Sequence, residues 1–412
     1  MKISILNASD SSGGAARAAY RIHTALRRMN IDSTLLVDHA ATGDWSVQQG
    51  ARGRWARLRE RLRQFAGTTL SRTLTTANPI LHSPALCPSK WPGIVNASDT
   101  DLVHLIWVNG EMLSIEDVPR IKKPLVWTLQ DMWGITGAEH VTEDARPFEG
   151  YLKTNRPAYE SGLDLNRLTW LRKRRAWKPM QIVTPSRWMA DCVRRSALMR
   201  GWPVTVIPNC VDTERWYPFS KQLARELFRL PKDKQLLLFG TSGANNAPHK
   251  GFDLLQSALD KLRGQPDIEL VIFGEFTPRV PLDLGFPVHY VGHLHDDLSM
   301  QMLYSAVDLV IIPSRVDNLP NVGIEALACG LPIAAFDVCG LPDIVTHEKT
   351  GYLAKPFNAD DLAHGITWLL SDAQRLAGMA DAARAEAVSR FSYPVVGSAY
   401  HALYEQVLNK AA

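Results

Sequence analysis

The chain has 412 residues, 46% hydrophobic and 21% charged, a composition ordinary for a globular protein. A single core seldom serves more than about 250 to 300 residues, so two α/β domains are expected. Five cysteines, Cys87, Cys192, Cys210, Cys329 and Cys339, are odd in number and lack C-x-x-C spacing, which points away from a disulfide framework or structural metal and toward a reducing cytoplasm.

Net charge is +4, but residues 1–205 hold 29 basic and 18 acidic side chains and the remainder 17 and 24, so the halves face different partners. From the start, KISIL in MKISILNASD reads as a first strand, with too short an apolar run for a signal peptide. Gly13 and Gly14 form a turn at the first strand–helix junction, where backbone approaches a sugar or phosphate, and Arg17 one turn later is placed to anchor an anionic acceptor. After the TLLV strand, residues 40–95 are an acceptor-side excursion rich in Arg, Thr, Ser and Pro. Within it, residues 51–65 (ARGRWARLRERLRQF) set Arg52, Arg54, Arg57, Arg59, Arg61 and Arg63 against Glu60 alone, beside Trp55, Leu58, Leu62 and Phe65 at helical spacing. An apolar stripe flanked by arginines predicts an interfacial helix on an anionic membrane surface; the plainer reading is a helix packed on its own domain with a solvated basic face. RKRRAWK at 172–178 is a second basic cluster, and no nucleic-acid module accompanies either, so no nucleic-acid partner is expected.

DLVHLIWV, PLVWTL, QIVTPS and VTVIPN continue a mostly parallel sheet. Asp99 and Asp101 form D-x-D, a metal-binding pattern elsewhere, but at the amino edge of a strand, whereas ligands gather at carboxyl edges; no metal is expected. His104 inside that strand reads as a core histidine. Trp107, Asn109, Trp133 and His140 fall near strand ends on one side, where tryptophans suit a pyranose face. A second strand series, LLLFG, ELVIFGE, VHYVG, DLVIIPS and LPIAAF, begins after a break near Pro208 to Pro218. No apolar run approaches the roughly 20 residues of a membrane span.

Residues 313–336, PSRVDNLPNVGIEALACGLPIAAF, read as the end of a buried strand, a polar turn holding Asp317, a helix from Val322, and a stop at Gly330 before Pro332. Backbone N–H groups around Asn321 to Gly323 would draw a diphosphate, and Glu325, in the first helical turn, would reach a ribose diol. Lys250, before Gly251 and a helix, is placed to neutralise a β-phosphate as the leaving-group charge grows. Gly240, Ser242 and Gly243 allow backbone to approach phosphate; Phe273 to Glu275 and Tyr290 to His293 are base-side loops.

Asp317-x7-Glu325 followed by ALACGLP resembles the E-x7-E motif of family 4 glycosyltransferases, retaining enzymes of GT-B fold. HKGFDLLQSAL at 249–259 resembles the K-G-x-x-x-L segment, IPNCVDTERWYP at 207–218 the I-P-N-G-V-D hinge strand, and GGAARAAYRIHTAL at 13–26 the glycine-rich first turn. WTLQDMWGITGAEH at 127–140 resembles the T-L-H-D-M-W-x-x-T-G signature of a surface-polysaccharide, colanic-acid type, subgroup.

The resemblance implies an α/β GT-B fold: two Rossmann-like domains facing a cleft, 1–208 for the acceptor and 209–388 for the nucleotide-sugar donor, with 389–412 a helix crossing back to the first domain. It implies retaining transfer without a protein nucleophile, a lipid-linked or oligosaccharide acceptor, no cofactor beyond the nucleotide-sugar, and a place on the inner face of the cytoplasmic membrane. Lys250, Asp317 and Gln130 are the catalytic candidates, Gln130 standing where the signature has a histidine that bonds the donor sugar. Donor-binding candidates are Gly243, His249, Lys250, Asp317, Leu319, Asn321, Val322 and Glu325; TSGANNAPHK lacks the family's phosphate-binding arginine, so either His249 or an arginine from the opposite domain substitutes for it or phosphate binding is weaker. Gly13, Gly14, Arg17, Asn109, Trp133 and His140 are the acceptor candidates. A sugar-nucleotide epimerase or a silent nucleotide-sugar-binding homologue is the alternative.

Overall fold

A computed structural model describes residues 1–50, 54–240, 248–274, 283–294 and 296–411. Contacts divide the chain into two units, residues 1–208 with 396–412 and residues 209–395.

The first unit is built on a seven-stranded parallel sheet of β1 (Lys2–Ser9), β2 (Asp32–His39), β3 (Val47–Gln49), β5 (Leu102–Leu105), β6 (Leu125–Thr128), β8 (Gln181–Thr184) and β9 (Val204–Val206). β4 (Leu74–Thr75) and β7 (Ser161–Gly162) pair separately as an antiparallel ribbon. The sheet order is β3-β2-β1-β5-β6-β8-β9, so the winding direction reverses between β1 and β5, where an open α/β sheet leaves a crevice at its carboxyl edge. Central strands are short apolar runs because both faces are covered; all four residues of β5 are buried.

Helices α1 (Gly14–Arg28), α2 (Arg54–Ser71), α3 (Trp91–Ala97), α4 (Arg146–Glu149), α5 (Leu165–Ala176) and α6 (Arg187–Arg195) follow in this unit. α1 lays Ala16, Ala19, Ile22 and Leu26 on the sheet and ends in Arg27 and Arg28, charges that suit a helix C-terminus. His104 on β5 is wholly buried and bonded on both ring nitrogens, to Thr128 Oγ1 at 2.7 Å and Tyr404 Oη at 2.8 Å. Tyr400 closes the cluster at 3.0 Å from Thr128 Oγ1. These tyrosines belong to the last helix, whose residues from Val396 onward are part of this unit.

The second unit carries a six-stranded parallel sheet, ordered β12-β11-β10-β13-β14-β15. Its strands are β10 (Gln235–Gly240), β11 (Ile268–Phe273), β12 (Val288–Gly292), β13 (Leu309–Ile312), β14 (Ile333–Phe336) and β15 (Gly351–Ala354). Alternation divides the side chains cleanly: Leu236, Leu238, Val310, Ile312, Ile333 and Ala335 enter one core, and Leu237, Phe239, Leu309, Ile311, Ala334 and Phe336 the other. Its helices are α7 (Lys221–Phe228), α8 (Phe252–Lys261), α9 (Asp297–Ala306), α10 (Asn321–Ala328), α11 (Ala359–Leu370) and α12 (Ala373–Phe391), and α13 (Tyr393–Ala411) ends the chain. This sheet reverses between β10 and β13.

Candidate functional site

At the reversal point of the second sheet, β13 ends at Ile312, and Pro313 and Ser314 lead the chain into the turn toward α10. That turn is stitched to the segment before α8: the backbone N–H groups of Arg315 and Val316 donate to the His249 carbonyl at 2.8 and 3.3 Å. Gly251, at φ +68°, has no β-carbon because one would overlap the Pro313 carbonyl oxygen. The contact holds two charges together: Lys250 Nζ lies 2.6 Å from Asp317 Oδ2, with Asp317 largely buried and Lys250 part-exposed. Ser314 Oγ reaches the same carboxylate oxygen at 3.4 Å, and the Asp317 carbonyl accepts the Gly340 N–H at 3.0 Å. The Arg315 guanidinium pairs with Asp253 in the first turn of α8. Arg315, whose backbone N–H meets the His249 carbonyl, is a cation that the sequence did not single out, because it lies in a turn distant along the chain from Lys250. His249 Nδ1 is buried without a hydrogen-bond partner; burial and the neighbouring Lys250 charge depress its pKa, with Asp317 acting against them.

α10 opens at Asn321, one residue before the expected start, and closes in a Schellman arrangement, with the Leu331 N–H on the Ala326 carbonyl and the Gly330 N–H on Leu327. Glu325 is therefore in the second turn and not the first. It is 1% exposed, and its Oε2 accepts the Tyr304 hydroxyl at 3.0 Å. Leu319 is 4% exposed in the core, so only its backbone can face a ligand; its carbonyl accepts from Asn209 Nδ2 at 3.3 Å, which also reaches Asn321 Oδ1 at 3.4 Å. Val322 packs partly on the same core. Ser242, Gly243 and Glu275 lie outside the described residues.

In the first unit the β1/β5 reversal point opens into a cavity of about 550 Å³, lined among others by Asn7, Gly13, Gly14, Asp38, Trp107 and Gly110. Gly13, at φ +88°, caps α1, and Arg17 follows half-buried one turn on. The signature segment 127–140 folds around a carboxylate. Asp131 accepts the Trp107 indole N–H at 2.9 Å, the Trp133 backbone N–H at 2.9 Å and His140 Nδ1 at 2.7 Å, while His140 Nε2 meets Ser83 Oγ at 2.8 Å. Burial pushes the Asp131 carboxyl up, but the His140 charge and these donors outweigh it and hold it below the usual carboxylate range. Gln130, half-buried, precedes this hub at the carboxyl end of β6.

Three expectations change here. Trp133 is 2% exposed, its indole N–H bound to the Ser83 carbonyl at 2.8 Å and Lys173 Nζ 3.7 Å from the ring centre, so it offers no face to a pyranose. His140 and Asn109 are likewise buried, at 5% and 3% exposure, and neither lines the cavity. The cluster at 172–178 is not simply a basic surface. Lys173 is fully buried on the carbonyls of Trp133, Thr136 and Gly137, and Arg172 binds the Pro84 and Ala85 carbonyls at 2.7 and 2.8 Å. Asp99 pairs with Lys2, and Asp101 accepts the Lys2 backbone N–H at 2.7 Å, both at the amino edge.

α2 is anchored by Arg63, which donates to the carbonyls of Cys87, Glu111 and Met112. Leu58, Leu62 and Phe65 are 46%, 59% and 68% exposed, so the apolar stripe faces away from its own unit. Arg52 and the side chains of Arg54, Trp55, Arg57 and Arg59 lie outside the described residues. Among the described residues, no helix is long and apolar enough to cross a membrane.

Residues 12–215 match the family described as Glycosyltransferase Family 4, and residues 224–386 the family described as Glycosyl transferases group 1. A D-inositol 3-phosphate glycosyltransferase of Segniliparus rotundus is 29% identical over 221 residues, 51% of this chain and 48% of that protein. The chain thus spans about half of that relative's length. Among solved structures, sucrose-phosphate synthase from Thermosynechococcus elongatus matches with a TM-score of 0.71 at 18% identity over 100% of both chains. The Anabaena protein HepE, in complex with UDP and glucose, matches with a TM-score of 0.65 at 18% identity over 98% of this chain and 100% of that one. These likenesses show a GT-B fold of two Rossmann-like domains. With one domain matching on each sheet, the chain belongs to the glycosyltransferases that join a family 4 domain to a group 1 domain.

Proposed function

We propose that this chain transfers a sugar, with retention, from a nucleotide diphosphate donor on the second unit to a saccharide acceptor on the first, in surface-polysaccharide assembly of the colanic-acid type. The observation that carries the reading is the Lys250–Asp317 pair at the carboxyl edge of β13, beside the start of α10. A pair satisfied at rest keeps both charges compensated until a ligand enters. In the proposed complex the diphosphate takes Lys250, freeing Asp317 to accept the donor sugar's hydroxyls. Lys250 then stabilises the charge that grows on the leaving phosphate, an electrostatic role without proton transfer and without a metal ion. Arg315 and His249 supply further donors to the phosphates, Glu325 accepts from the ribose, and Gln130 orients the sugar as a neutral hydrogen-bonding group. The bond from the sugar to phosphate breaks, the bond to the acceptor oxygen forms on the same face, and the acceptor proton passes to the departing phosphate.

UDP and glucose in the Anabaena relative support a nucleotide-sugar as donor. The outward stripe of Leu58, Leu62 and Phe65 supports an anionic membrane surface as the place of work and a lipid-linked acceptor. A thermal-shift panel of UDP- and GDP-sugars tests the reading, since a ligand at 100 times its Kd adds about 2.7 kcal/mol. The expected result is stabilisation by one donor class that Lys250→Ala removes. No stabilisation by any nucleotide-sugar, or one that Lys250→Ala leaves intact, refutes it.

A further inference from the structure

Among the described residues, Trp107 is the one large apolar side chain on the wall of the cavity at the β1/β5 reversal point. It is part-exposed, and its polar atoms are spent within the protein. The backbone N–H donates to Asn7 Oδ1 at 2.8 Å, the carbonyl accepts the Ala8 N–H at 2.8 Å, and the indole N–H donates to Asp131 Oδ2 at 2.9 Å. What Trp107 adds to the wall is therefore ring carbon. A β-carbon at Gly110, which is exposed on the same wall, would meet Cζ3 of the indole at 3.9 Å. The six-membered ring thus lies beside an open stretch of the cavity.

The indole is also held in one orientation. Asp131 Oδ2 takes His140 Nδ1 at 2.7 Å as well as the indole N–H, and the two rings pack with centroids 5.6 Å apart and planes tilted by 37°. A carboxylate strengthens both bonds, since hydrogen bonds to an ionised acceptor are about twice as strong as neutral ones. Trp107 follows β5, and Asp131 and His140 follow β6, the strand paired beside it. The segment 127–140 therefore closes over the neighbouring strand's tryptophan.

The rest of the cavity wall is polar. Ser12 and His39 are exposed, and the half-buried Gln64 sets its amide nitrogen 3.0 Å from His39 Nε2. Ring carbon beside a hydroxyl, an imidazole and an amide suits a pyranose, which has a face of C–H groups and a rim of hydroxyls. A hydrocarbon would take water from these polar groups and return no hydrogen bond. A phosphate would gain nothing from ring carbon, and no Lys or Arg is among the residues lining the cavity.

We propose that Trp107 is the platform on which the acceptor's sugar ring stacks, and that Asp131 and His140 are positioning residues that act on the acceptor through Trp107 without touching it. The inference rests on the glycosyltransferase reading and names the group that recognises its acceptor.

The test uses the full chain with ¹⁵N-labelled indoles, titrated with the methyl α- and β-glycosides of glucose, galactose and mannose. The Trp107 indole signal is the one that Trp107→Phe removes. At least one glycoside should shift that signal. Trp107→Ala should weaken its binding about tenfold, while Trp107→Phe, which keeps a ring, should hold it within about threefold. Asp131→Asn should weaken binding in the wild type and cost less in Trp107→Phe, whose ring has no N–H to hold. No binding of any glycoside, a bound glycoside that leaves the indole signal unmoved, or unchanged affinity in Trp107→Ala overturns the platform. An equal cost of Asp131→Asn in both backgrounds overturns the positioning role. Thermal stabilisation by nucleotide-sugars in the same samples reads the donor assignment separately. Donor stabilisation without glycoside binding at Trp107 sinks the platform alone, and the converse sinks the donor assignment alone.

Discussion

Lys250 and Asp317 stand 67 positions apart in the chain, yet Nζ and Oδ2 meet at 2.6 Å because Gly251 lets the two backbones touch. If the ammonium is held in reserve for a diphosphate, Asp317→Asn should bind UDP or GDP more tightly than the wild type while transferring more slowly. Lys250→Ala should lose about 10²- to 10³-fold in kcat, the scale of one donor to a developing anion. Titration calorimetry with the nucleotides and steady-state rates check both. Unchanged nucleotide affinity in Asp317→Asn means that the pair is structural.

Gln130 occupies the place of a histidine in the related signature, half-buried beside the Asp131 hub. An amide neither takes a charge nor relays a proton near neutrality. Gln130→Ala should raise the barrier by about 1 to 3 kcal/mol through a lost polar contact. Gln130→His should keep much of the rate and add an acid limb between roughly pH 5 and 7. The pH profile of kcat/KM separates these outcomes, and full activity in Gln130→Ala removes the residue from the site.

The outward stripe of α2 is the proposed lipid contact. Replacing Leu62 and Phe65 by Asp should abolish sedimentation with anionic vesicles, replacing Arg54, Arg57 and Arg61 by Glu should do the same, and binding of the wild type should weaken as salt rises. Both sets lie in the first unit and the donor candidates in the second, so stabilisation by nucleotide-sugar should persist. A wild type that never sediments leaves α2 an ordinary surface helix.

Burial lowers the His104 pKa to about 3. The unfolded chain, near 6.5, takes up a proton that the native protein refuses, so His104 lowers stability as pH falls below 6.5 and ceases to change it near 3. His23, lowered to about 4 by burial and by Arg27, acts in the same direction. Urea denaturation across pH 4 to 7 should therefore show an acid loss whose slope is smaller in His104→Asn by about one proton, or about 1.4 kcal/mol per pH unit. The same slope in both proteins refutes the assignment.

Much of this molecule is local in origin. Runs such as Val310 to Ile312 announce strands covered on both faces, and Gly330 before Pro332 ends α10 through its own neighbours. Each depends on residues within a few positions of one another. β3 and β15 escaped notice because VQQ and GYLA are short and weakly patterned. Gly351 is where it is because any β-carbon would overlap the Ile333 carbonyl oxygen on β14, a partner distant in sequence.

From the sequence alone came the alternating α/β order, the resemblance to family 4 glycosyltransferases and the residues proposed here for the donor. Tertiary structure decided which way those residues face. It turned Glu325 toward Tyr304, enclosed Trp133 and Lys173, and exposed Leu62 and Phe65. The physical reason is that hydrophobic period and turn chemistry act along the chain, whereas burial, ion pairing and unmet hydrogen bonds depend on which distant backbone settles against which.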